Sequence, residues 1–241
     1  VTNTTINNPI GLFYGYVAEG LFKDQATLNS APIQFGQAVG NGAGETALGD
    51  VKYKDVNDDG KIDANDKTFI GNPHPEFTFG FTNNFKYKNF DCSIFLQGSY
   101  GNDVMNLTKR AGTTNSSLYD NQFVDALDYY SATNVTSNNP RPIADASNTN
   151  LLISSRYVED GSYLRIQNLT IGYSLPQDLI SKCNISRLRF YGTAQNLFTF
   201  TNYSGYDPEI GSFNQNVLLS GIDNGRYPVA RTFSLGLNLE F

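Results

Sequence analysis

Tryptophan is absent, histidine and methionine occur once each, and cysteine occurs twice. His74 lies between Pro73 and Pro75. A histidine-dependent triad or metal centre would rest on that residue alone, so the chain is not expected to be an enzyme. Cys92 and Cys183 are far apart and outside any CxxC pattern, so neither a disulfide framework nor a zinc site is implied and two free, partly apolar thiols are expected. No run of about 18 apolar residues occurs, so no transmembrane helix is expected. A membrane strand is not excluded, because it needs only about 10 residues with every second one apolar. Basic residues are also scarce. Seventeen Lys and Arg against 23 Asp and Glu leave a net charge of −6 and a pI near 4.7. With no block of about five basic residues, a nucleic-acid surface is not expected. The opening residues are not expected to be a signal peptide. The chain starts at Val1, without Met, in a stretch that reads as loop, so Val1 is not expected to be a natural start.

Aromatics are abundant, with 15 Tyr and 17 Phe in 241 residues. In the segment 77–87 the odd positions are Phe77, Phe79, Phe81, Asn83, Phe85 and Tyr87, and the even ones are Thr78, Gly80, Thr82, Asn84 and Lys86. A period of two places these sets on opposite faces of a strand. Lys88-Asn89 reads as a tight turn. The next strand then carries Phe90, Cys92, Ile94, Leu96, Gly98 and Tyr100 on one face. Phe233, Leu235, Leu237, Leu239 and Phe241 repeat the alternation at the end of the chain. Two less regular strands are expected near 161–175 and 185–200, with phase slips at Asn168-Leu169 and Asn196-Leu197 that fit β-bulges.

The connections alternate in length. Lys88-Asn89 and 176–184 are short, whereas 17–75, 101–160 and 201–228 are long. Compact soluble domains seldom carry loops beyond about 12–15 residues. Outer-membrane barrels pair short periplasmic turns with long extracellular loops, and place aromatics at the membrane interfaces. The expected fold class is therefore all-β: a segment of an antiparallel transmembrane β-barrel, with about five or six strands. The competing architecture is a soluble β-sandwich, which also alternates.

One loop motif carries chemistry. In DVNDDGKIDAND, residues 55–66, a twelve-residue calcium-loop pattern puts Asp55, Asn57 and Asp59 at positions 1, 3 and 5 and Gly60 at the sharp turn. Lys61 offers its carbonyl, and Asp63 and Asp66 follow at positions 9 and 12. Calcium takes about six to eight oxygens, and this set supplies carboxylates, an amide and a carbonyl. Ile62 would anchor the loop on apolar surface. The alternative is a solvated Asp/Gly-rich turn. Residues 116–132 fit a short helix with Phe123, Leu127 and Tyr130 on one packing face. The third loop, 201–228, is rich in Tyr, Asn, Asp and Gly. It fits either sugar binding or a plain solvated loop.

Several of these segments together resemble the SusC/RagA family of TonB-linked outer-membrane proteins of Bacteroidota. They are YGYVAEGLF (14–22), GDVKYKDVNDDGKIDANDKTFIGNPHPEFTFGF (49–81), NNFKYKNFDCSIFLQGSYGNDV (83–104), DGSYLRIQNLTIGYSLP (160–176) and NLFTFTNYSGYDPEIG (196–211). The ending SLGLNLEF (234–241) looks like a barrel-assembly signal. The resemblance implies that residues 1–241 are the C-terminal portion of a plugged barrel of roughly 22 strands in the bacterial outer membrane. It also implies TonB-dependent uptake of oligosaccharides or peptides with a SusD-like surface lipoprotein as partner. The plug, the remaining strands and the region that meets the TonB complex have no counterpart in this sequence. The runner-up is a soluble calcium-stabilised glycan-binding β-module, which would stay monodisperse without detergent.

Overall fold

The computed structural model describes all residues except 43, 115–120, 144–148 and 182–184. Cys183 and the N-terminal part of the expected 116–132 helix lie outside the described residues. Two compact units form. One comprises Pro75–Asn102, Asp160–Glu209 and Tyr227–Phe241, and the other Val1–His74, Asp103–Glu159 and Ile210–Arg226.

The first unit is a five-stranded sheet. Its strands are β1 (Phe77–Tyr87), β2 (Phe90–Tyr100), β3 (Tyr163–Ser174), β4 (Arg187–Thr201) and β5 (Thr232–Glu240). They pair antiparallel in chain order, each with the strand before and after it. The register aligns the alternation of all five sequences. One row reads Tyr87, Phe90, Tyr173, Phe190, Leu237 across the sheet, and the next Phe85, Cys92, Ile171, Gly192, Leu235. Opposite them lie polar rows such as Asn84, Ser93, Thr170, Thr193, Ser234. The apolar face lacks any cover within the unit: Leu235 is 93% exposed, Tyr87 72% and Phe85 58%. A soluble sandwich buries that face against a second sheet. A barrel wall turns it to lipid. β1 and β5 each pair on one side only.

The expected phase slips are real. Gln167 has no partner between Ile166 and Asn168, and both neighbouring strands shift register there. On β4 the slip falls at Asn196-Leu197, where Asn196 takes a left-handed φ of 52°. The tight turn also holds. Tyr87 pairs with Phe90, and Lys88 adopts φ 52°.

The second unit gathers the three long connections. Its short strands include Leu12–Gly15 with Thr68–Gly71, Ala18–Leu21 with Val51–Tyr53, and Ile33–Gln34 parallel to Lys61–Ile62. Asp103–Asn106 runs parallel to Ile222–Asp223. One core cluster joins Phe13, Met105, Tyr157 and Ile222, one residue or more from every segment of the unit. Another joins Tyr16, Val51, Tyr53 and Ile62. The third connection is thus no purely solvated loop. The expected helix over 116–132 is corrected. Val124–Leu127 makes a single 3-10 turn. Leu127 is 77% exposed, whereas Ala126 and Tyr130 are buried. The backbone of Tyr130 bonds Asn139 instead, because Ser, Thr and Asn in 131–139 offer competing turn bonds.

Candidate functional site

The 55–66 loop turns sharply at Asp58 and Gly60, with φ of 57° and 80°. Gly60 needs no side-chain clearance there and suits the left-handed region. The acids fold inward on backbone donors. Asp55 Oδ2 accepts from Gly60 N at 2.8 Å, Asn57 Oδ1 from Asp59 N at 3.1 Å, and Asp59 Oδ1 from Lys61 N at 3.0 Å. Asp63 caps the turn Ala64–Asp66 by accepting from Asn65 N at 2.8 Å. Asp66 is fully buried and accepts from Val56 N at 2.8 Å and Asp63 N at 2.7 Å. Burial pushes its carboxyl up, but the backbone N–H groups of Asp63, Val56 and Asn57 outweigh this and hold it below its ordinary value. Ile62 is 1% exposed in the Tyr16–Val51–Tyr53 cluster and fixes the loop to the core. Among the described residues, no three His, Cys, Asp or Glu side chains are grouped to hold a metal ion. The side-chain oxygens of Asp55, Asn57, Asp59, Asp63 and Asp66 accept from backbone N–H groups of the loop.

A second polar centre joins the first connection to the second. Asp50, 2% exposed, accepts from Arg141 Nε at 2.7 Å, Asn150 Nδ2 at 3.0 Å and Ala47 N at 2.8 Å. Asn150 Oδ1 in turn accepts from Val51 N at 2.8 Å. Buried charge tolerates such a place only when paired and fully bonded.

The polar face of the sheet holds a third. Arg165, 2% exposed, donates through Nη1 to Glu209 at 2.8 Å, through Nε to Thr199 Oγ1 at 2.9 Å, and through Nη2 to Asp207. Nearer the short turns, Arg189 pairs with Asp91. These charges lie opposite the apolar rows, where lipid would make them costly. In the loop unit, a cavity of about 270 Å³ opens beside Gly211, Phe213, Asn214, Asn224 and Arg226.

No protein-family model matches the chain. The TonB-dependent receptor P3 of Formosa agariphila is 37% identical over 239 residues, covering 96% of this chain and 22% of that receptor. SusC of Bacteroides thetaiotaomicron, a TonB-dependent receptor, is 34% identical over 193 residues, covering 78% of this chain and 17% of its own length. The chain belongs to the SusC/RagA-type TonB-dependent receptors. It spans about a fifth of the length of the curated relatives it matches. The structure of the RagAB peptide transporter superimposes with a TM-score of 0.71 at 20% identity, over 95% of this chain and 22% of that one, and carries the fold alone.

For a SusC/RagA-type chain the five strands are a section of barrel wall. Lipid against the apolar rows would leave the Arg165 and Arg189 rows facing inward. The one-sided pairing of β1 and β5 is what a section of a closed barrel requires. The sequence did not signal Arg165, Asp50, Asn150 or Arg226 as site residues. Their partners lie far away in the chain: 42 residues for Arg165–Asp207 and 100 for Asn150–Asp50.

Proposed function

We propose that this chain forms wall and external loops of an outer-membrane importer. The importer takes up oligosaccharides or oligopeptides, draws energy through TonB, and works with a SusD-like surface lipoprotein. The observation that supports this best is the sheet: a continuous apolar face over five meander strands, backed by a face of Arg, Asp, Thr and Ser, in a chain homologous to TonB-dependent receptors. The test is uptake. Cells carrying the protein should accumulate a fluorescently labelled oligosaccharide or peptide, and lose that accumulation when TonB is deleted. A tagged copy extracted from outer membranes in detergent should bring a lipoprotein with it. Uptake that persists without TonB would sink the proposal.

We also propose that the 55–66 loop takes one structural calcium ion through Asp55, Asn57, Asp59, Asp63 and Asp66 and the Lys61 carbonyl. The N–H groups of Gly60, Asp59 and Lys61 draw the Asp55, Asn57 and Asp59 oxygens into one turn, which supports it. Each bonded oxygen still has a lone pair for a hard cation. Titration calorimetry with calcium should show one site, and Asp59→Ala should remove it. No heat in the wild-type protein would leave the loop a hydrogen-bonded turn.

A further inference from the structure

The third connection contains a cavity whose lining has no assigned role. At about 270 Å³ it lies just under the size of small-molecule sites, roughly 300–1,000 Å³, so it admits one ring-sized group of a larger ligand. Ser212, Asn214 and Asn224 supply neutral donors and acceptors, and half-buried Phe213 supplies an aromatic surface. Gly211 keeps one wall bare, and the Nη1 of Arg226 lies 3.0 Å from where a Cβ on Gly211 would sit.

Arg226 distinguishes this cavity. Its backbone is fixed, because Asp223, 1% exposed, accepts from Gly225 N at 3.0 Å and Arg226 N at 2.9 Å. Its side chain is exposed and, among the described residues, has no hydrogen-bond or ion-pair partner. The other arginines of the unit are all engaged: Arg110 by the Leu151 carbonyl, Arg141 by Asp50, and Arg156 by Asn139. A guanidinium offers five donors in a planar fork that matches a carboxylate through two parallel bonds. An anchored backbone with an unengaged fork at a cavity mouth is placed for an anion from outside.

We propose that this cavity is a subsite for one carboxylated sugar ring, a uronate, of an oligosaccharide ligand. Arg226 holds the carboxylate, Asn214, Asn224 and Ser212 bond the ring hydroxyls, and Phe213 packs on its C–H face. Three neutral polar groups beside one aromatic ring suit a hydroxylated ring better than a peptide side chain. The proposal rests on the uptake reading and deepens it.

The test uses the protein as the cell makes it, extracted from outer membranes in detergent. Calorimetry compares trigalacturonate with its carboxyl-reduced counterpart, and a pentapeptide with its C-terminally amidated form. The wild type should bind the triacid roughly tenfold or more tightly than the reduced sugar. Arg226→Gln should bring the two to equal affinity with an unchanged melting temperature, since the side chain has no hydrogen bond or ion pair to lose. Arg226→Lys should keep only part of the preference, because a point charge replaces the fork. Asn224→Asp, which sets a like charge against the ligand, should weaken the acid and spare the reduced sugar. Equal binding of acid and reduced sugar by the wild type overturns the subsite, and so does a preference that survives Arg226→Gln. Loss of peptide-carboxylate binding, rather than uronate binding, in that variant overturns the sugar assignment. If no saccharide or peptide binds in any form, the uptake reading falls as well.

Discussion

Two single carboxylates hold the loop unit, and each predicts a measurable loss. Asp50 compensates Arg141 and receives the Asn150 amide in a site closed to water. Asp50→Ala leaves a partly buried guanidinium without its anion, and should destabilise the unit by about 3 kcal/mol. Limited proteolysis should then cut within 1–74 or 103–159 at protease levels the wild type survives. Asp66 predicts a pH dependence. Its folded pKa lies below the ordinary carboxylate value. Its contribution to stability is therefore complete above about pH 4 and lost as pH falls through the depressed value. The hydrogen-exchange protection of the Val56 and Asp63 amides, taken relative to the unstructured rate at each pH, should fall on acidification below that point. Asp66→Asn should exchange fast at every pH, and acid-insensitive protection in the wild type would contradict the assignment.

At the scale of elements, the strands divide by residue parity. Leu237 is 52% exposed on the apolar face of β5, while its neighbour Asn238 pairs with Arg189 on the other. Leu237→Arg near mid-membrane should cost roughly 2–4 kcal/mol, and Asn238→Asp should be tolerated beside the guanidinium. Reversible unfolding into detergent or lipid measures both, and equal costs would mean that the faces are assigned the wrong way round. Most of this was legible in the alternation itself. β1, β2 and β5 came out at or within a residue of their expected bounds, because a period of two is a local property. Even the slips near 168–169 and 196–197 showed as breaks in phase, the first falling at Gln167. The 116–132 helix did not form as expected. A spacing of apolar residues cannot show that 131–139 would capture the backbone of Tyr130 in turn bonds.

For the whole molecule, the strand order sets which connections share a side of the membrane. The Lys88 turn and the 176–184 connection lie at one end of the sheet, and 101–160 and 201–228 leave from the other. In a background without Cys92 and Cys183, a single cysteine at Thr133 should react with a membrane-impermeant maleimide on intact cells. One at Lys88 should react only after the outer membrane is opened. The reverse pattern would invert the topology.

The sequence by itself determined the strands, their faces, the tight turn at Lys88-Asn89 and the family, because alternation, turn residues and motif order are encoded between near neighbours. Only the tertiary structure decided that the N-terminal strand and the second and third long connections share a core through Phe13, Met105, Tyr157 and Ile222. It alone brought Arg165 to Asp207, Arg141 to Asp50, and an unengaged Arg226 to a cavity wall. Those pairings join residues tens of positions apart, and no local pattern records them. They arise when burying the apolar side chains of distant segments forces each enclosed charge to find a partner.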